Sequence, residues 1–248
     1  MTRLLVIPAA GRGTRLGWDG PKLLYPIGGQ PMIDYLFERY ASLVDRVVLV
    51  VAPAAKELVR RHLRLRGWDA ECLTQTEPAG MLPAILCARP AVERYRPRQI
   101  WITWCDQIAI SAGTAQRLAR EIDGDPAAAL VFPTVRQQPP YIHFARDGDG
   151  RISQVLQRRE GDRMPEVGES DAGLFALALE TYRDRLTEYD RLAGAGGQTK
   201  ERNFLPFIPW LAARAAVRTF DLPDTREAIG VNSPDDVRAL ETYLRERA

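Results

Sequence analysis

Over the first 125 residues the chain alternates short apolar runs with longer amphipathic ones, and this alternation limits its fold more than any single motif. Runs rich in β-branched residues fall at 3–8, 46–51, 70–74 and 99–104, and patterns of helical period follow them at 31–43, 54–65, 81–88 and 111–122. Unbroken or alternating apolar positions suit strands, whereas spacings of three and four line one face of a helix. Four strand–helix pairs in succession predict a parallel sheet covered by helices. Arg46-Val-Val-Leu-Val-Val51 is apolar at nearly every position, as a strand buried on both faces requires, and Pro53 closes it.

From residue 127 the rhythm changes. Strand patterns at 129–135, 141–145, 151–157 and 172–177 predict antiparallel pieces joining the sheet, with Pro139-Pro140 interrupting the first pair. Asp147-Gly-Asp-Gly150 between two alternating segments predicts a hairpin. Helical patterns at 179–192, 204–213 and 235–245 follow, and Gly194-Ala-Gly-Gly197 marks a bend. Ser233-Pro-Asp-Asp236 has the order of a helix start: a capping serine, proline in the first turn and acids behind it. The expected fold is therefore α/β: a Rossmann-like mixed sheet, mostly parallel and flanked by helices. At 248 residues and 46% hydrophobic, with no internal repeat or linker, the chain is expected to form a single domain over 1–248.

Charge and cysteine content narrow the partners. Lys and Arg number 34 against 32 Asp and Glu, a net charge of +2, which is too balanced to call for nucleic acid or a membrane surface. Any anion site must be local. Cys72, Cys87 and Cys105 match no metal-ligand spacing, and an odd count is a poor basis for a disulfide scaffold. With no charged-then-apolar leader and no run of roughly 20 apolar residues, a cytoplasmic location is expected. Oligomeric state is not legible.

In open α/β sheets, ligands sit at the carboxyl ends of the strands. The first strand ends in Pro8-Ala-Ala-Gly-Arg-Gly-Thr-Arg-Leu-Gly-Trp-Asp-Gly-Pro-Lys22, with glycines that let a bound group approach the backbone. Arg15 and Lys22 in this loop offer fixed cations for a triphosphate. The same edge receives Gln75 and Gly80 from the third strand and Asp106 from the fourth. Taken alone, Asp106 could equally cap a strand end. Gly11-Arg-Gly13 lacks the third glycine of the dinucleotide fingerprint and the Gly-Lys-Ser/Thr ending of a P-loop. The second strand ends Val50-Val-Ala-Pro53, without the acid that would hold a ribose, which argues against a dinucleotide-dependent oxidoreductase.

Ala9-Ala-Gly-Arg-Gly-Thr-Arg15 with Pro21-Lys22 resembles the signature loop of the nucleotidyltransferases, or pyrophosphorylases, that join a nucleoside triphosphate to a phosphorylated sugar or polyol. Glu227-Ala-Ile-Gly-Val-Asn232 and the helix pattern after it are similar to the terminal metal motif of the uridylyltransferase domain that makes UDP-N-acetylglucosamine. The resemblance implies the nucleotide-diphospho-sugar transferase type of fold, with a nucleotide-binding half over 1–125 and an acceptor-binding half over 126–248. It implies that Arg15 and Lys22 hold the triphosphate and act with Asp106 in catalysis. Ala9, Ala10, Gly11, Gly13, Thr14, Gln75 and Gly80 would surround the nucleotide, and Asp106 and Asn232 would bind Mg2+. On the acceptor side it points to Arg159 at the acceptor phosphate, to Asp171 and Gly173 at the sugar, and to Glu201 in an acceptor-binding loop.

Several positions depart from the family pattern. Gly80-Met-Leu-Pro-Ala84 stands where Gly-Thr and a small residue are frequent, and Asp171-Ala-Gly173 where Asn-Thr-Gly is usual. Gln157 replaces a frequent glutamate, and Cys105 stands where glycine commonly precedes the aspartate. Arg158-Arg159 could equally be a solvated strand end, and Lys200-Glu201-Arg202 an exposed charge cluster. His62 and His143 have no partner at metal-ligand spacing. Two alternatives stay open: a cytidylyltransferase for a small phosphorylated alcohol, and a non-catalytic nucleotide-sensing subunit of the same fold.

Overall fold

The computed structural model describes residues 2–11 and 13–247; Arg12 of the signature loop lies outside them. β1 (Arg3–Ala9) enters the glycine-rich loop, in which 3-10 turns form at Thr14–Leu16 and Lys22–Leu24. A minimal hairpin, β2 (Pro26–Ile27) and β3 (Gln30–Pro31), leads to α1 (Met32–Tyr40). There follow β4 (Arg46–Val51), α2 (Lys56–Arg66), β5 (Glu71–Thr74), α3 (Met81–Leu86), α4 (Arg89–Tyr95), β6 (Gln99–Thr103) and α5 (Ala112–Gly124). The rest of the chain forms β7 (Ala128–Gln137), β8 (Ile142–Arg146), β9 (Ile152–Gln157), β10 (Gly168–Asp171) and β11 (Leu174–Ala178). Then come a π-helical turn (Thr181–Arg185), α6 (Leu186–Asp190), α7 (Phe207–Ala212), β12 (Ala216–Asp221) and α8 (Pro234–Arg247).

Eight strands make the central sheet, in the order β10-β7-β11-β6-β1-β4-β5, with β12 also paired to β7. β1, β4, β5 and β6 are mutually parallel, and β12 is parallel to β7. Only β10 and β11 run against the others. The mostly parallel mixed sheet expected from the sequence is therefore present. Its apolar runs divide between two layers with period two: Leu5 and Ile7 pack on one face with Leu49 and Val51, while Leu4 and Val6 pack on the other with Val48 and Val50. Each such fully buried aliphatic side chain contributes about 2 kcal/mol of transfer free energy.

Three elements differ from expectation. The β8–β9 hairpin forms its own two-stranded sheet instead of joining the main one. Both edges of β7 are already taken, by β12 on one side and by β10 and β11 on the other, so the hairpin packs beside β10. α4 begins at Arg89-Pro90, where proline sits in the first turn and costs no hydrogen bond, although in the sequence it resembles a break. β12 is only half-buried along most of its length, so its apolar pattern is faint.

The architecture places an opening at one point of the sheet edge. β6 stops at Thr103, level with Leu174 of β11. β7 continues to Gln137 with β10 as its partner, and the antiparallel strand breaks at Ala172-Gly173, where Gly173 has φ +68°. A cavity of about 660 Å³ lies at this break, between the loops after β1, β5 and β6 and the β8–β9 hairpin.

Candidate active site

The glycine-rich loop is shaped by one aromatic side chain. Trp18 donates its indole N–H to the Pro21 carbonyl at 3.1 Å, and a Cβ on Gly13 or Gly20 would lie 2.9 or 2.6 Å from the Trp18 side chain. These glycines therefore make room for Trp18, and Gly17 supplies a left-handed turn at φ +65°. Gly11, where an added Cβ would meet no described atom within 4 Å, lines the cavity and leaves its backbone open to a ligand. The Trp18–Pro21 bond ends the loop with Lys22 turned into the cavity.

Lys22 is the centre of the site. Its ammonium bonds the Asp106 carboxylate and, at 3.0 Å, the Asn232 amide oxygen, which also accepts from Arg15 at 3.1 Å. Lys22 and Asp106 are only 12% and 16% exposed, so this charge pair is weakly screened. Two further contacts fix the oxygens. The Val231 N–H donates to the Asp106 carbonyl at 3.2 Å, docking the terminal motif on the loop after β6. At the start of α8, Asp236 accepts from the Asn232 and Ser233 N–H groups at 2.9 and 2.7 Å, and Ser233 Oγ accepts from the Asp236 N–H at 3.3 Å. That reciprocal cap holds Asn232 beside Lys22. Glu227, 1% exposed, braces the same motif by accepting from the Ser111 N–H at 2.9 Å.

The residues present fit a magnesium ion. Asp106 and Asn232 already direct two oxygens at one cation, and Mg2+ prefers oxygen ligands, commonly one or two from protein with water and phosphate supplying the rest. Among the described residues no group of three or more His, Cys, Asp or Glu could hold a metal ion.

In the loop after β5, Gln75 donates to the Gly80 carbonyl at 3.0 Å. Gly80, at φ +107°, admits no side chain, because a Cβ would lie 2.6 Å from the Arg202 carbonyl oxygen. Arg159 donates to Glu201 and Asn203, both at 2.7 Å, while its Nε is buried with no hydrogen-bond partner and lies 3.8 Å from the Glu160 carboxylate. The Gly173 N–H donates to Asp171 Oδ1 at 2.8 Å, and a Cβ on Gly173 would lie 2.5 Å from Trp104. Glycine at 173 thus has a packing reason of its own.

All the residues singled out from the sequence line the cavity except Ala9 and Thr14. Ala9, 2% exposed, points into the core, whereas Thr14 is exposed on the outer side of its 3-10 turn. Trp104, Gln107, Tyr141 and Asn203 also line the cavity, and no motif in the sequence points to them. Trp104 and Gln107 flank Asp106 in the loop after β6, and Asn203 lies two residues beyond Glu201, so proximity in sequence is their only signal. His62 contacts buried Asp34 at 2.5 Å and His143 accepts from the Glu169 N–H at 3.1 Å, so both serve the scaffold.

Two groups in the cavity have displaced proton affinities. Burial pushes the Cys105 thiol up to about 12, with the Asp106 charge adding to the effect, so the thiol stays protonated and unreactive at neutral pH. Burial pushes the Asp171 carboxyl up to about 6 against the pull of the Gly173 N–H. An unfolded chain would hold this proton near 3.8, so the folded state binds it more tightly; the stabilising contribution is full below pH 3.8 and is lost as pH rises through about 6. The ceiling on that loss is about 3 kcal/mol. Asp171→Asn keeps the acceptor for Gly173 and removes the charge, so its melting temperature exceeds the parent's at pH 7.5 and matches it near pH 4. A difference unchanged across that range, measured by thermal denaturation, would show that burial of the charge is not the cause.

Comparison with known proteins agrees with this geometry. The family model of the MobA-like NTP transferase domain matches residues 5–170. The bifunctional protein GlmU of Pelotomaculum thermopropionicum is 28% identical over 244 residues, covering 98% of this chain and 52% of that protein. The GlmU of Stutzerimonas stutzeri is 28% identical over 247 residues, with the same coverage. The chain thus spans about half the length of the curated relatives it matches. A solved structure of CMP:2-keto-3-deoxy-manno-octonic acid synthetase, complexed with CTP, superposes with a TM-score of 0.72 at 17% identity and covers all of both chains. No helix among the described residues is long and apolar enough to cross a membrane. With its signature loop, its Lys22–Asp106–Asn232 cluster and its mixed sheet inside the matched fold, the chain belongs to the family of MobA-like NTP transferase domains.

Proposed function

We propose that this chain joins a nucleoside triphosphate to a phosphorylated sugar or polyol in the cytoplasm, releasing pyrophosphate, with magnesium as cofactor. The observation that carries the reading is the convergence of Arg15, Lys22, Asp106 and Asn232, from three distant parts of the chain, at the nucleotide end of a cavity whose other end holds Arg159. Residues 1–125 supply the nucleotide side and 126–248 most of the acceptor side, within one domain.

The acceptor's phosphate oxygen is already an anion, so no side-chain nucleophile or base is needed. It attacks the α-phosphorus; the bond from that phosphorus to the bridging oxygen breaks, and pyrophosphate leaves with the electron pair. Lys22 and Arg15 stabilise the negative charge that builds on the triphosphate, and the partly closed cavity strengthens that interaction. Arg159, whose Nε makes no hydrogen bond, orients the acceptor phosphate toward the nucleotide. A magnesium ion on Asp106 and Asn232 would supply further charge neutralisation at the phosphates.

The base-side wall carries Met81 where a smaller residue is frequent, and the structural neighbour was solved with CTP, so cytidylyl transfer to a small phosphorylated alcohol is the second reading. Pyrophosphate release with Mg2+ and UTP, CTP, GTP, ATP or dTTP, against sugar 1-phosphates and phosphorylated polyols, separates the two. One productive pair is expected. Triphosphate binding with no release from any pair would favour a nucleotide-sensing protein.

A further inference from the structure

The segment 194–203 is fastened across the cavity at both ends. On the nucleotide side, the Arg202 N–H donates to the Ala79 carbonyl at 2.8 Å and the Leu82 N–H to the Arg202 carbonyl at 3.0 Å. These bonds press the segment against Gly80, which is why no Cβ fits there. On the acceptor side, one carboxylate does the fastening. Glu160, 9% exposed, accepts from the Gln198 N–H at 3.0 Å, the Thr199 N–H at 3.3 Å, the Thr199 hydroxyl at 2.5 Å and the Asn203 amide at 3.3 Å. The Thr199 hydroxyl and the two N–H groups hold its carboxyl below the usual range, with Arg159 adding to the effect. Gly196 must lack a side chain for the contact to form, since a Cβ there would overlap the Glu160 carboxylate.

The carboxylate that makes these bonds follows Arg159 directly in sequence, and the segment it holds carries both of the groups that hold Arg159, Glu201 and Asn203. We propose that Glu160 is a positioning residue for the acceptor: it latches the 194–203 segment to the end of β9 and so fixes the direction in which Arg159 presents its guanidinium to the acceptor phosphate. This rests on the reading of Arg159 as the acceptor-phosphate group. Glu160 does not line the cavity and touches no substrate; it acts through the segment it holds and through its 3.8 Å ion pair with Arg159 Nε.

The Glu160→Gln variant keeps the shape and loses the charge and one strong acceptor. With the triphosphate–acceptor pair found most active in the panel above, its KM for the acceptor rises about tenfold, while KM for the triphosphate and the melting temperature stay near the parent's. Hydrogen exchange of the ligand-free full chain speeds up across 196–203. Gly196→Ala, acting from the opposite side of the contact, raises the same KM. Glu160→Ala combined with Gly196→Ala is less impaired than the product of the single effects, because the added methyl then has room. Arg159→Gln serves as the reference: a raised acceptor KM in that variant, with an unchanged acceptor KM and unchanged exchange in Glu160→Gln, overturns the latch and leaves the reading of the site standing. An unchanged acceptor KM in Arg159→Gln overturns the reading itself. Equal rises in both KM values of Glu160→Gln, with a lowered melting temperature, would reduce Glu160 to a fold-stabilising residue and also overturn the proposal.

Discussion

Asp106→Ala lowers pyrophosphate release by about 10²–10³-fold while the protein remains folded, the scale seen when one preorganised charge-stabilising group is removed. Among the described residues Asp106 is the only carboxylate bonded to Lys22, and its backbone carbonyl also receives the Val231 N–H that docks the terminal motif. The substitution removes the side chain and keeps that backbone bond, so Asn232 stays in place and the loss falls on chemistry. Far-ultraviolet circular dichroism and a melting curve check the fold, and a discontinuous pyrophosphate assay checks the rate. Residual magnesium-dependent turnover within tenfold of the parent would remove Asp106 from the catalytic set.

Lys22→Met has the second large effect, a fall of about 10²-fold or more in kcat/KM for the triphosphate. Methionine retains an aliphatic stem of similar reach, so packing beside the Trp18 loop is preserved while the ammonium is lost. Arginine is not an equivalent replacement, because its planar fork needs more room than a 12% exposed ammonium site provides. The same variant gives a signal that does not depend on turnover. Lys22 occupies the Asp106 and Asn232 oxygens in the ligand-free protein, so a divalent cation competes with its ammonium for them. Mn2+ therefore binds the nucleotide-free Lys22→Met protein more tightly than the parent, as read by water-proton relaxation. Weaker or equal binding would show that these oxygens do not receive the metal.

The sequence foretells the sheet well where burial is complete, because a stretch covered on both faces must be apolar; residues 48–51 of β4 and 100–102 of β6 are such stretches. It foretells α8 because capping chemistry is local: Ser233 and Asp236 bond each other's backbone within one turn. β12 and the separate β8–β9 sheet depend on which edges of β7 remain free, a question of three-dimensional pairing that no local pattern answers. The site follows the same division. The phosphate-side groups lie in short motifs directly after strands, and so can be named from their position. Ala9 belongs to that motif, yet strand alternation turns it into the core. The loop's glycines suggest openings for phosphate, whereas Gly13 and Gly20 yield to Trp18, a packing requirement visible only in the folded loop. Asn203 and Glu160 reach Arg159 and the 194–203 segment across about 40 residues of chain, so their only mark in the sequence is that they stand close to Glu201 and Arg159.

Nucleotidyl transfer is tested most directly by the ³¹P spectrum of a reaction containing the protein, Mg2+, the triphosphate and the phosphorylated acceptor. Attack at the α-phosphorus predicts pyrophosphate together with a pair of coupled phosphorus signals from a diphosphate that bridges nucleoside and acceptor. A nucleoside diphosphate with an acceptor carrying a second phosphoryl group, and no pyrophosphate, would place the attack at the terminal phosphorus and contradict the assignment of Arg15, Lys22 and Asp106 to nucleotidyl transfer.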